Sequence, residues 1–442
     1  MNPDQYSVPK RENVARVYSP VDFSVEKCLP PHLRKYEDDA RYVIGQIRWQ
    51  QLMRFPREIR KADNPGVELK ARYLRSILRC KDRYSDLIEA LVSSGAITCD
   101  RYYVEGRKCR SYNLGDLFSR EFKRYDLTDK FLLKNITRWR SREVADLTPL
   151  HAWLRSKLFL LGIRDGDAIQ AIADDEDSNL FIPQIEAIRD KAPVRYHQDP
   201  YGRVHTNLTN LPKRLRQFLV VDGSSLCEID VPNSQPLFFG VSLHAPNYKL
   251  SSSSVESSLS PEIAKLLDQL IPNTPPPTTT PLRSRFSIGK YIEDVCRGRF
   301  YEVIAETAGM TREDVKAHVL RYLYCDDVLW GKKGKVLRTQ YPETARVFDA
   351  IEELYPEIVP HLKAGKEGDY RRLSHNMQRA ESYYMFQMVC QRVWRERPET
   401  FLATIHDSLL VKPEDVDYAY GVMMGEMRSL GMNVKEMKVK RH

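Results

Sequence analysis

At 442 residues the chain is longer than one hydrophobic core usually fills, so two or three domains are expected. Its 42% hydrophobic and 29% charged content, with no run of about 18 apolar residues, excludes a membrane-spanning helix. The net charge of +9 lies wholly in the first 150 residues, which hold 30 basic and 21 acidic side chains, and this points to a polyanion, most often nucleic acid, as a partner of that third.

The N-terminal MNPDQYSVPKRENVARVYSP has no apolar centre, so no secretory leader is expected. Eight cysteines without a CxxC pair fit a reducing cytoplasm rather than a disulfide scaffold or zinc ribbon. Residues 1–35, polar and proline-bearing, read as a flexible arm. From Tyr36 to about Leu91 the apolar spacing is helical, with Arg and Lys on the polar faces. Alternation through Ile97, Cys99, Tyr102 and Val104, then Tyr112 and Leu114, predicts a hairpin turning at Gly106. Helices closed by a basic hairpin resemble a winged helix, and residues 36–194 are expected to form one mainly helical, basic domain. Residues 150–190 read as further helix. Ser, Thr and Pro dominate about 249–285, which predicts a disordered insertion holding one short helical patch, PEIAKLLDQLI. Helix then runs from Tyr291 to about Trp394, broken near Gly365–Gly368. An apolar strand, FLATIHDSLLV, a helix and a final short strand, MNVKEMKV, close the chain.

Two of these segments carry acids where acids are unusual. LCEIDVPNSQPLFFG is an apolar strand ending at Asp230, and FLATIHDSLLV holds His406 and Asp407 mid-strand. Two strand-end carboxylates can clamp a pair of divalent ions about 4 Å apart, the arrangement for in-line phosphoryl transfer. Between them, TREDVKAHVLRYLYC repeats Arg312, Lys316, Leu320 and Tyr324 every four residues, so one helix face carries two cations and then an aromatic ring. Such a face suits a triphosphate and a base or sugar.

In this order the motifs resemble the palm and fingers of family A DNA polymerases and the related single-subunit phage-type RNA polymerases. EIDVPNSQP is similar to their motif A, the Arg312–Tyr324 segment to their fingers helix, and TIHDSLLV to their motif C. GRVHTNLTNLPKRLRQFL resembles the block before motif A, and HNMQRAESYYMFQMV the Gln-bearing helix before motif C. The resemblance covers about 201–442 and implies an α+β right-hand core at 195–442, in a compact form without an exonuclease domain. An antiparallel palm sheet would come from about 195–245 and 396–442, the fingers from about 286–365, and the N-terminal domain would act as thumb and nucleic-acid grip.

It also implies roles. Asp230, Asp407 and the Val231 carbonyl would hold two Mg²⁺ ions, which Mn²⁺ can replace. Arg312, Lys316, Leu320, Tyr324 and Gln235 would line the nucleotide. Arg203, Asn210, Gln378, Arg379 and His406 would touch primer or template. The implied activity is a template-directed nucleotidyltransferase, a DNA polymerase without proofreading that extends a primer 3′-OH on a DNA primer-template with nucleoside triphosphates. An RNA template or primer stays open, as does a primer-independent RNA polymerase or primase on the same fold. A non-catalytic DNA-binding replication or regulatory protein is the alternative from another class. A cytoplasmic protein with no membrane partner is expected; a monomer and a bacterial or phage source are compatible with it, and the oligomeric state and host stay open. Three departures from the family pattern stand out: Cys325 in place of Gly, Ser408 after the His-Asp pair, and Gln235 where DNA polymerases carry Glu and RNA polymerases Gly. Asp326 and Asp327 read as turn caps, and His375 as structural.

Overall fold

The computed structural model describes residues 15–54, 66–105, 108–118, 121–175, 178–191, 194–251, 284–324 and 339–442. The expected turn at Gly106, residues 252–283 of the Ser/Thr/Pro insertion, and Cys325, Asp326 and Asp327 lie outside the described residues. The chain divides into two compact units, 1–197 with 206–222, and 198–205 with 223–442. Residues 206–222 thus belong with the first unit, against the expected boundary at 194, because β9 (Leu219–Val221) pairs antiparallel with β6 (Leu161–Ile163).

In the first unit the arm reading is corrected from Arg16 onward. β1 (Arg16–Pro20) pairs with β5 (Phe122–Asp126), and Val17, Phe23, Val25, Cys28 and Leu33 are buried in a core reaching to Ile136. The helix Glu37–Arg54 opens on three acids. Two of them turn inward: Asp38 accepts the Thr128 and Asp129 N–H groups at 2.6 Å each, and Asp39 accepts those of Arg79 and Cys80 at 3.0 and 2.9 Å. Each carboxylate ties down a loop whose amides would otherwise lack partners. The hairpin forms as expected, β3 (Ile97–Cys99) against β4 (Ser111–Leu114) in the register Ile97↔Leu114, and β2 (Val67–Glu68) adds a third strand. Residues 150–190 are helical at Pro149–Leu158, Asp165–Gln170 and Ser178–Arg189, interrupted by β6.

β7 (Tyr196–Gln198) and β8 (Val204–Thr206) lie where the chain crosses between the units. In the second unit, the two-residue β10 (Ser224–Ser225) precedes β11 (Cys227–Asp230). A four-stranded antiparallel sheet follows the order β12 (Ala403–Ile405), β13 (Ser408–Val411), β11, β14 (Lys438–Arg441). FLATIHDSLLV is therefore two strands rather than one: Ile405 pairs with Ser408, leaving His406 and Asp407 as a two-residue turn. His406 takes a left-handed φ of 54°, uncommon for a side chain with a Cβ but suited to so tight a hairpin. β11 runs centrally between β13 and β14 and stops before Pro232, which has no N–H to offer a neighbour.

The helix Val416–Ser429 packs on β11 of this sheet. Arg371–Ser382 continues as a π-helical stretch, Tyr383–Cys390, whose Tyr384, Met385, Phe386, Val389 and Cys390 are buried. The break expected near Gly365–Gly368 separates Ile358–Lys366 from Arg371. Phe300–Ala308 ends at Gly309, left-handed with φ 62°, and the Met310 N–H closes back on the Ala305 carbonyl. Thr311 then opens the next helix: it donates to the Asp314 carboxylate at 2.7 Å and accepts the Asp314 N–H at 3.3 Å. This tight corner brings Arg312–Tyr324 back against its predecessor. Among the described residues, no helix is long and apolar enough to cross a membrane.

Candidate active site

The two acids singled out in the sequence meet in the second unit. Asp230 ends β11 opposite Ser408, and the Val231 N–H donates to the Asp407 carbonyl at 3.2 Å. Two neighbouring backbone segments, one strand end and one turn, therefore present the two residues side by side. Burial pushes the Asp407 carboxyl up to about 6, and the nearby Glu381 charge adds to the rise; Ser234 and Arg203 oppose it. Among the described residues no group of three or more metal-ligating side chains comes together. The donor set is two carboxylates and backbone oxygen, which suits Mg²⁺ completed by substrate phosphates better than an all-protein metal cage.

The helix Arg312–Tyr324 buries Val315, Val319, Tyr322 and Leu323, and Arg312, Leu320 and Tyr324 are half-buried on the stripe beside that face. Lys316 is exposed. Arg312 is half-buried, pairs with Glu302 at 2.6 Å and lies over the Tyr301 ring, so a phosphate would have to compete with Glu302 for it. The C-terminal end is held at two points. The Tyr324 hydroxyl donates to the Gln235 amide oxygen at 2.8 Å, and the fully buried Lys366 donates to the Tyr322 carbonyl at 2.7 Å. Burial raises the Tyr324 hydroxyl well above its ordinary range, with the Glu381 and Asp407 charges adding to it, so this group stays a donor.

Glu381, which the sequence pattern did not single out, is the centre of the site's hydrogen bonding. It is only 2% exposed. One carboxylate oxygen takes Arg203, through Nε at 2.9 Å and a terminal nitrogen at 2.7 Å. The other takes the Ser234 hydroxyl at 2.7 Å and the Gln235 amide nitrogen. A signal was present. Met377, Glu381 and Tyr384 recur at helical spacing on a buried face, and a glutamate there requires partners.

The remaining expected residues fall in several places. The Arg203 guanidinium is taken up by Glu381 rather than turned outward. His406 sits at the hairpin turn with its ring 6.0 Å from that of His205, which in turn meets Asp199 at 3.2 Å. Gln378 is half-buried on Arg371–Ser382, and the exposed Arg379 reaches Asn376 and the Tyr201 ring. His375 stacks on Tyr201 with centroids 3.9 Å apart. Asn210 is exposed and belongs to the first unit.

The first unit carries a second candidate surface. Tyr102 and Tyr103 are 58% and 59% exposed on the hairpin, and the Lys108 ammonium lies 4.5 Å from the Tyr102 ring centre. Lys70, Arg72, Arg75, Lys81 and Arg83 are exposed along Ala71–Ile77 and the turn after it. Aromatic faces beside cations are the ingredients of a single-strand nucleic-acid surface.

No family model matches the chain, and no curated protein matches it. Among solved structures, the chain is similar to the POL domain of Pol1 from M. smegmatis in complex with DNA primer-template and dNTP. The alignment has 13% identity and a TM-score of 0.28, and covers 63% of this chain and 55% of that one. The chain thus spans just over half the length of that structure.

Proposed function

We propose that the chain is a template-directed nucleotidyltransferase of the right-hand type, a DNA polymerase without proofreading. The observation that carries this reading is the convergence of three separate sequence motifs. Asp230 and Asp407 lie on neighbouring backbone segments, and Tyr324, at the end of the Arg-Lys helix, bonds to Gln235 just after Asp230. An isolated acid pair or an isolated basic helix is common; the two brought together through the Tyr324–Gln235 hydrogen bond support nucleotidyl transfer from a nucleoside triphosphate.

In this reading Asp230 and Asp407, with the Val231 carbonyl, would hold two Mg²⁺ ions, which would supply Lewis-acid stabilisation of the charge on the phosphates. Lys316 and Arg312 bind the β- and γ-phosphates and offset the charge that develops on the departing pyrophosphate. Tyr324 and Gln235 border the sugar and base. A primer 3′-OH attacks the α-phosphate: the Pα–O3′ bond forms as the Pα–O bond to the β-phosphate breaks, the hydroxyl proton passes to water, and pyrophosphate leaves. His406, at the left-handed turn position beside Asp407, would meet the primer end in this reading. The first unit grips nucleic acid through its cationic and aromatic surface, mainly at phosphates, so binding weakens steeply with salt.

The test is single-nucleotide extension of a labelled primer on DNA and RNA templates, with dNTPs and with NTPs, in Mg²⁺. Extension that requires both template and primer and favours dNTPs supports the reading. Synthesis without primer from NTPs would move the assignment to an RNA polymerase or primase. No incorporation on any template would leave a DNA-binding protein.

A further inference from the structure

The Gln235 amide is asymmetric, and both of its ends are used. Its oxygen accepts from the Tyr324 hydroxyl and its nitrogen donates to Glu381. Glu381, ionised, can only accept. It therefore dictates which way the amide points and obliges Tyr324 to be the donor on the other side. The same carboxylate takes the Ser234 hydroxyl and the Arg203 guanidinium, so it receives donors from all three and is almost wholly buried. A charge so deep is tolerated only with such partners. The arrangement also explains why residue 235 is an amide here. A glutamate at 235 would set a second carboxylate against Glu381 and remove the amide donor.

We propose that Glu381 is a positioning residue for nucleotide selection. It acts as the charged half of a matched Glu381–Gln235 pair that locks the end of the Arg312–Tyr324 helix beside the Asp230–Asp407 pair and keeps the sugar side of the pocket rigid. This rests on the polymerase reading, and it changes one consequence of it. A glutamine at 235 standing alone would be a loose barrier to a ribose 2′-OH. Held by Glu381, it becomes a fixed one, with the negative charge supplied from a different helix.

The pair is tested by moving the charge. Wild type, Glu381→Gln, Gln235→Glu and the double variant Glu381→Gln/Gln235→Glu are compared for kcat and KM with dATP and with ATP opposite a template thymine, with folding followed by thermal unfolding. Glu381→Gln leaves the amide orientation undetermined; it should raise KM for dATP more than it lowers kcat. It should also cut the dATP-to-ATP preference by roughly ten-fold, the scale of steric discrimination in a substrate pocket. Gln235→Glu should be worse than Glu381→Gln, and the double variant, which restores one carboxylate facing one amide, should recover most of the preference. That recovery is something a merely space-filling glutamate would not produce. If Glu381→Gln proves unfolded, the double variant decides: a folded protein that keeps the preference supports the pair, and a folded one without it overturns the proposal. An unchanged preference in Glu381→Gln, or simple additivity in the double variant, also overturns it while leaving the polymerase reading intact. A wild type that joins neither nucleotide overturns both.

Discussion

The two units surround their buried carboxylates with different partners. In the first, Asp38 and Asp39 face backbone N–H groups of loops they tie down, at 2.6–3.0 Å. In the second, Asp407 faces another acid: Glu381 reinforces the burial that pushes its carboxyl up to about 6. Glu381 itself is matched by Arg203, Ser234 and Gln235, whereas the help that Ser234 and Arg203 give Asp407 does not offset the rise. Backbone amides make an acid a structural fastener. Burial raises the Asp39 carboxyl too, with the Asp129 charge adding to it, so the two acids differ in their partners: loop amides hold Asp39, and a second carboxylate lies near Asp407.

The largest expected effect follows from that contrast. Asp230→Asn and Asp407→Asn should each reduce primer extension to background while nucleic-acid binding persists, because the cationic surface lies on other residues. A gel-shift titration beside the extension assay checks both halves, and near-normal extension by either variant would remove that acid from the site. Next in size, Lys316→Ala should lower kcat by about 10²–10³-fold, as loss of one charge-stabilising group does, with folding unaffected at this exposed position. Arg312→Ala should cost less, since Arg312 already shares its charge with Glu302.

The first unit should respond in affinity rather than rate. Tyr102→Ala and Tyr103→Ala should each weaken single-strand binding by about 1–3 kcal/mol if a base stacks there. Replacing Lys70, Arg72 and Lys81 with Gln should flatten the salt dependence by about 0.9 in log–log slope for each phosphate no longer neutralised. Unchanged binding and slope would make this surface an ordinary solvated one. Smallest in functional terms, Asp38→Ala should lower stability by about 1–3 kcal/mol, the cost of orphaning buried amides, without altering the KM for a nucleotide.

The helices, the N-terminal hairpin and the acids were legible because periodicity and a charge in an apolar run are local signals. The pairing of β1 with β5 and of β6 with β9 was not, since strands of three to five residues, as here, carry too few alternations and their partners lie far along the chain. FLATIHDSLLV reads as an apolar strand with a turn-like Ser408 and a second apolar run after it; the turn falls on His406 and Asp407 instead, where Ile405 pairs with Ser408 and His406 is left-handed. The contact of Arg203 with Glu381 was not legible because the two residues lie 178 positions apart. Glu381 was overlooked beside Gln378 for the same reason: its meaning depends on Ser234, Gln235 and Arg203, none of them near in sequence.

The most direct test sets the two kinds of acid against each other in one measurement. Thermal unfolding at neutral pH without divalent ions is recorded for wild type, Asp38→Ala and Asp407→Asn, with primer extension measured on the same samples in Mg²⁺. A carboxyl whose pKa is higher in the folded chain than in the unfolded one opposes folding when ionised, so removing its charge relieves the fold. Asp407→Asn should therefore unfold at a temperature equal to or above that of wild type and extend no primer, while Asp38→Ala unfolds earlier and still extends. A clearly destabilised Asp407→Asn that continues to extend primers would contradict the account, making Asp407 a structural acid like Asp38.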